Sequence, residues 1–375
     1  QATPAAFGAA YTQAMTLIAP TSHPLLEEAL QAKLARRRPG QRGLGELEPV
    51  AIRLGLLQHT LRPRFHDPQL VVFAADHGLA VDGIVAPPGG STEETVWQIL
   101  EDELPVSVFA RQQGLTLSVV DCGVAVKLPA HDRLVLRKIA HGTRNARVGP
   151  AMSLEQAHAA IRAGMEIGDT LHGNVLACAG IGVGAHESAA LVLSRLTDTP
   201  VRELLVSGPQ MLPETLAHLM IIAQGAEGRH REVRDAVEVL AAFGGFETAV
   251  MVGAMLVAAS KRHLIMVDGI AACAALMVAS RIAESVTDYC VFCRSTTHLG
   301  LDRALSLFQA SALLELGLDA TDGTGACLSW PLVASSAALL SQLADDDGAS
   351  QPDGLEAPVI QSLYDPLATG VPGVP

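Results

Sequence analysis

Gln69-Leu-Val-Val-Phe-Ala-Ala-Asp-His-Gly78 is an unbroken apolar run that stops at two polar residues and a glycine. A strand covered on both faces reads this way, because neither side of it meets water. Asp76 and His77 are then delivered to the carboxyl edge of a sheet. The arrangement recurs along the chain. Thr116–Gly123 ends in Asp121-Cys-Gly, Asn174–Ala179 runs into glycines at 180, 182 and 184, and His263–Asp268 precedes Gly269. Arg202–Ser207 and Asp288–Phe292, the latter before Arg294, read as two further strands. Between them lie helical stretches at 91–113, 153–171, 188–196, 213–222, 233–240, 247–259, 270–284 and 301–316. Strands alternating with helices predict an α/β fold, a mostly parallel Rossmann-like sheet with helices on both faces. Ligands of such sheets sit outside the carboxyl ends of the strands. Asp76, His77, Asp121, the Gly180 loop and Asp268 should therefore gather there.

The bulk numbers fit that reading and exclude others. A chain of 375 residues with 49% hydrophobic content can bury a large core, in one large domain or two smaller ones. Its net charge of -13 repels polyanions, so neither nucleic acid nor an acidic membrane is expected as a partner. An anionic substrate would need a local positive field from backbone N–H groups or helix N-termini. Six cysteines in a chain of this length are no disulfide framework, and they suggest a reducing compartment. Cys290 and Cys293 form a lone C-x-x-C with no second pair and no histidine at metal spacing, so no metal is expected. Phe246–Ser260 and Leu264–Ser280, the longest apolar stretches noted, fall short of a clean span of about 20 residues. No basic n-region followed by an apolar h-region opens the sequence, so a cytoplasmic location is expected by default.

Two glycine-rich stretches can carry chemistry. Gly180-Ile-Gly182-Val-Gly184 lies between a strand and a helix, where backbone N–H groups can approach an anion. It lacks the spacing of a dinucleotide fingerprint and the acidic residue that should follow, so a phosphate cradle or close strand–helix packing are the stronger readings. Asp322-Gly323-Thr324-Gly325 offers one carboxylate as proton acceptor, with neighbours able to bind a phosphate or ribose oxygen. The same four residues also make an ordinary turn that caps a helix. His77 reads either as an acid or base or as a hydrogen-bonded core histidine, and Asp121 and Asp268 as helix caps. Arg144, in His141-Gly-Thr-Arg-Asn145, can bind a carboxylate or phosphate. Ser153 with Gln156 forms a capping box.

Taken in order, these segments resemble the nicotinate-nucleotide:dimethylbenzimidazole phosphoribosyltransferase family of cobalamin lower-loop assembly. Val71–Gly83, His141–Ser153, Gly182-Val-Gly184, Phe243–Ala258, Val267-Asp-Gly269, Asp288-Tyr289 and Leu314–Pro331 are each similar to a family motif, and together they span residues 20–340. The resemblance implies attack of a lower-ligand base, typically 5,6-dimethylbenzimidazole, on C1′ of nicotinate mononucleotide. α-Ribazole phosphate and nicotinate are then the products, with no cofactor and no metal. It places Asp322 in the slot of the catalytic base. Gly180, Gly182, Gly184, His186, Ser295, Gly323, Thr324 and Gly325 are the phosphate and ribose candidates. Val85, Pro87, Glu94 and Ala320 are the base-pocket candidates, with Asp76, His77, Arg144 and Asp268 as further ones. Residues 1–62 are expected as an N-terminal helical segment joining a smaller helical subdomain. Residues 63–340 would be the α/β catalytic domain, and 341–375 a C-terminal tail with a short helix near Ile360. The family is homodimeric, so a second copy, or else a paralogous subunit, is the expected partner.

The departures from the family bear on activity. Asp322 replaces a Glu, shortening reach by roughly 1.5 Å, and a misplacement of about 1 Å can cost on the order of 100-fold. Gly180 replaces a Glu before the phosphate loop. Ala185-His-Glu187 replaces Asn-Thr-Thr, where a protonated His186 would have to offset the lost hydroxyls. Val85 and Pro87 replace a Ser and an aromatic, and Glu94 a common Gln. These changes keep a second reading open, a weakened or half-site paralogue that acts as a binding or regulatory subunit. A nucleotide-dependent oxidoreductase is the third, resting on the glycines alone.

Overall fold

The computed structural model describes residues 18–36, 43–85, 90–207, 211–295 and 299–342. The expected tail with its helix near Ile360, the end of the basic run 33–42, and Pro87 lie outside the described residues.

The described residues open with two helices, α1 (Pro24–Arg36) and α2 (Leu47–Gln58), and then enter β1 (Gln69–Ala75), whose seven residues are all buried. A 3-10 turn (Gly78–Asp82), α3 (Thr92–Leu100) and α4 (Pro105–Gln113) lead to β2 (Thr116–Gly123) and β3 (Leu134–Leu136). Next come α5 (Leu154–Thr170), β4 (Val175–Ile181), α6 (Ala185–Thr197), α7 (Val201–Leu205), α8 (Pro213–Arg229), α9 (Ala236–Phe243) and α10 (Phe246–Ser260). The remainder is β5 (Leu264–Val267), α11 (Ile270–Ile282), β6 (Cys290–Ser295), α12 (Leu299–Leu307), β7 (Ala312–Glu315) and α13 (Thr324–Ser341).

Among the described residues the sheet has seven parallel strands in the order β3-β2-β1-β4-β5-β6-β7. Strand order reverses between β1 and β4, and the crevice outside their carboxyl ends is where doubly wound sheets bind ligands. Helices cover both faces, as the pleat shows. Leu70 pairs with Ala177, and its side chain meets the Cα of Gly323 at the head of α13. Gly180 lies three residues beyond Ala177, so it faces the other way, onto Met251 and Glu247 of α10. A second, smaller core joins Leu26, Leu30 and Leu34 of α1, Ala51 of α2 and Leu340 of α13. The first two helices and the last one thus share a small apolar cluster of their own.

Three expectations are corrected. Arg202–Ser207 is not a strand, since Val201–Leu205 is the short helix α7. Glu203 N–H donates to Pro200 O, and Val201, Leu204 and Leu205 are the buried residues, at helical rather than alternating spacing. The helix expected over 91–113 is two helices, because Pro105 sets Leu104 extended and restarts the chain at a first-turn proline. The helix expected over 301–316 ends at Leu307, and Ala312–Glu315 is the edge strand β7. Two short edge strands, β3 and β7, therefore escaped the sequence reading. One helix among the described residues, Thr324–Ser341, has the length and mean hydropathy of a membrane span. Half of that stretch is buried within the protein, and it packs on α2, α4 and β6.

Helices α5 and α10 touch backbone to backbone. A Cβ at Gly164 would fall 1.8 Å from Val250 O, and one at Gly253 1.9 Å from Ile161 O. Substituting Gly164 by Leu should therefore destabilise the fold by about 3 kcal/mol or more. Gly228→Ala on α8, where a methyl group meets nothing, should stabilise it by about 0.5–1 kcal/mol. Urea unfolding of the two variants checks both signs.

Candidate active site

Three helices start at the carboxyl edge behind a glycine with positive φ. They are α6 after Gly184 (φ 89°), α11 after Gly269 (φ 89°) and α13 after Gly323 (φ 100°). The capping glycines bring no side chain to these first-turn amides, which offer positive partial charge to an anion at α6 and α11, whereas in α13 Thr324 N–H is held by Asp322 Oδ1 and Ala326 N–H by Asp268 Oδ2.

The glycine loop after β4 is built against β1. A Cβ at Gly182 would lie 1.8 Å from Ala75 O, and its φ of 152° is one that side chains avoid. A Cβ at Gly184 would lie 3.0 Å from His77 Cβ. Thr92 ties the edge together. Its hydroxyl donates to Asp76 Oδ1 at 2.6 Å and accepts from Val183 N–H at 3.0 Å, while Asp76 Oδ2 accepts from Ala125 N–H at 2.7 Å. Asp76 is thereby an organiser of two loops. The His141–Asn145 loop folds over the same edge, with Thr143 Oγ1 accepting from Gly78 N–H and Asn145 donating to Asp82.

His77 is buried, with Nε2 2.9 Å from Oε1 of the equally buried Glu247. Burial pulls the imidazole pKa down, but the charge and hydrogen bond of Glu247, joined by Asp76 and Glu187, outweigh it and hold it above 6.5. Gly245 passes directly over the pair, where a Cβ would come within 2.1 Å of Glu247 Oε2. That oxygen has no hydrogen-bond partner among the described residues. Asp121 pairs with Lys138 at 3.0 Å and accepts from Val124 N–H, so it shapes a loop and caps no helix.

The second cluster surrounds Asp322. Its Oδ1 accepts from Thr324 Oγ1 at 2.7 Å and from Thr324 N–H at 3.2 Å. Burial raises its pKa above the usual carboxylate value and the charge of Asp268 adds to that, although the Thr324 bonds oppose both. Asp268 is not a helix cap for α11. Its Oδ1 takes Arg294 Nε at 2.6 Å and its Oδ2 takes Ala326 N–H at 3.0 Å. Gly325 lies so close that a Cβ there would sit 2.5 Å from Arg294 Cδ.

Other expected residues lie elsewhere. The missing Cβ of Gly180 faces Ala271 and Met251, which is packing. His186 Nε2 is engaged with Leu204 O at 2.9 Å. Glu94 completes a capping box with Ser91, and its side chain is exposed. Val85 is 85% exposed, and Ala320 and Arg144 are exposed too. Ser295 ends β6 opposite Glu315. Glu247, Thr92 and Arg294 were missed as site residues. A glutamate at the head of the otherwise apolar Phe246–Ser260 run was the available signal for the first. Ser153 and Gln156 do form their capping box. All six cysteines are free and buried, and among the described residues no cluster of His, Cys, Asp and Glu could hold a metal.

A phosphoribosyltransferase family model matches residues 19–350. The chain belongs to the nicotinate-nucleotide:dimethylbenzimidazole phosphoribosyltransferase family. It is 42% identical over 327 residues to the nicotinate-nucleotide–dimethylbenzimidazole phosphoribosyltransferase of Cupriavidus taiwanensis, covering 86% of this chain and 94% of that one. The protein of the same name from Dechloromonas aromatica is 39% identical over 338 residues, covering 88% and 96%. The crystal structure of CobT from Thermus thermophilus superposes with a TM-score of 0.79 at 30% identity, covering 84% and 96%. The chain is thus a phosphoribosyltransferase.

The His77–Glu247 pair makes stability depend on pH. Because the folded pKa of His77 is raised, its contribution is complete below about pH 6.5 and is lost as pH rises through the folded value. Urea unfolding should show stability falling above pH 6.5 in the wild type and a flatter profile in His77→Gln. Identical slopes would remove the pair from this role.

Proposed function

We propose that this phosphoribosyltransferase moves phosphoribose from nicotinate mononucleotide to a benzimidazole-type lower-ligand base, with Asp322 as proton acceptor. The observation that carries the reading is the setting of Asp322. It is a buried carboxylate fixed by Thr324 at the N-terminus of α13, at the carboxyl edge of the sheet. The names of the relatives supply the substrate class.

In this reading a ring nitrogen of the base attacks C1′ as the bond from C1′ to the nicotinate nitrogen breaks. The leaving ring's nitrogen turns from a quaternary pyridinium cation into a neutral pyridine nitrogen, so the electron pair of the broken bond has a ready destination. The proton on the other ring nitrogen passes to Asp322. Alignment and proton removal then supply the catalysis. The first-turn amides of α6, with Gly182, Gly184, Gly323 and Gly325 giving the backbone close approach, are suited to the phosphate and ribose. His186 is a weaker phosphate candidate because Leu204 O holds its Nε2. Glu94 is a weak alternative base because it already caps α3. Val85 and Ala320, being exposed, are left open to line a base pocket. We further infer a cytoplasmic homodimer. The six unbridged thiols support the compartment, and sedimentation of the purified chain tests the dimer.

Incubation with nicotinate mononucleotide and dimethylbenzimidazole should release nicotinate and α-ribazole phosphate. Absence of product with a range of benzimidazoles, purines and phenols would sink the reading. Asp322→Asn should lower kcat on the order of 100-fold or more while mononucleotide binding persists. The wild-type rate should fall as pH drops through a value above the ordinary carboxylate pKa, because Asp322 must be ionised to accept a proton.

A further inference from the structure

We infer that Arg294 and Asp268 form a positioning clamp that holds the Asp322 segment to the sheet at both of its ends. The inference rests on Asp322 being the proton acceptor.

Arg294 is the penultimate residue of β6 and Asp268 follows the neighbouring strand β5. Both are almost wholly buried. One arm of the guanidinium binds Asp268, with Nε to Oδ1 at 2.6 Å. The other arm, Nη1, donates to the carbonyl of Leu318, four residues before Asp322. The second oxygen of Asp268 accepts from Ala326 N–H at 3.0 Å, four residues after Asp322. One ion pair therefore grips the segment 318–326 on either side of the carboxylate. Ser329 adds a third tie, donating to Cys293 O at 2.8 Å.

Packing holds the far half of this segment, 322–326, which is buried, but does little for the near half. Residues 319–321 are exposed, and the described chain on the approach, 315–317, is exposed as well. The clamp is also closely crowded. A Cβ at Gly325 would come within 2.5 Å of Arg294 Cδ and 2.8 Å of Asp268 Oδ1, so a side chain there has no room beside the pair. A fork is needed because one planar group must reach a carboxylate and a carbonyl together, and lysine offers a single point charge instead. Arg294 acts through Asp322 and is a positioning residue.

The test compares Arg294→Lys with Asp322→Asn in the full-length enzyme. Arg294→Lys keeps a charge for Asp268 and gives up the Leu318 bond. It should reduce kcat by about 10- to 100-fold, the scale of a misplacement of about 1 Å, with KM for nicotinate mononucleotide nearly unchanged. Amide hydrogen exchange over 317–321 should speed up while exchange in β5 and α11 holds. In Arg294→Ala, added methylguanidinium should restore part of kcat. If Arg294→Lys does not fold, Arg294→Gln, which retains a neutral donor, is read by the same three measurements. Wild-type kcat and unchanged exchange over 317–321, with Asp322→Asn inactive, overturn the clamp. A lowered melting temperature with wild-type kcat also overturns it, by showing a structural role only. Full turnover in Asp322→Asn overturns the proton-acceptor reading itself.

Discussion

Charge carried into a dry interior is costly unless an opposite charge or hydrogen bonds meet it there, and two ion pairs buried on both sides stand along one edge of this sheet. His77 meets Glu247, and Asp268 meets Arg294. Removing one member of such a pair leaves the other uncompensated, at a cost of about 3–5 kcal/mol. Each pair consequently locks together elements distant in sequence. The first joins the end of β1 to the start of α10, and the second joins β5 and β6 to the head of α13. The carboxyl edge is built on these pairs, and the loops around it are hung from them.

Glycine is the second half of the same design. Backbone must come close where phosphate and ribose are to be held, and side chains would fill that space. Gly182 against Ala75 O, Gly245 over Glu247 and Gly325 beside Arg294 each sit where a methyl group has no room. Helices α6 and α11 begin nearby behind glycines that bring no side chain to their first-turn amides. For a protein with a net charge of -13, backbone dipoles are a means of meeting an anionic substrate without lysine or arginine.

Substitution at the proposed acid–base position is compatible with this frame. A shorter carboxylate reaches less far, so its backbone has to be held the more firmly. Two ties to the sheet, at Leu318 and Ala326, are what a short side chain on an exposed segment requires. Burial and the neighbouring Asp268 raise its pKa, which makes it a better proton acceptor than a surface aspartate.

Much of this was legible in the sequence. Apolar runs that end in Asp or Gly identified four of the seven described strands, and the apolar run Asp288–Phe292 a fifth, because a strand buried on both faces has no polar side to blur the pattern. They also pointed to the carboxyl edge, and the ordered motifs identified the family. The short edge strands β3 and β7 were invisible, since three or four half-exposed residues carry no distinctive period. The run at Arg202–Ser207 misled because an isolated helical turn and a strand look alike over so few residues. Pairing was the part that only the tertiary structure decided. Glu247 lies far along the chain from His77, and Arg294 lies 26 positions from Asp268. A charge in a sequence does not name its partner, because the partner is chosen by which strands and helices lie side by side.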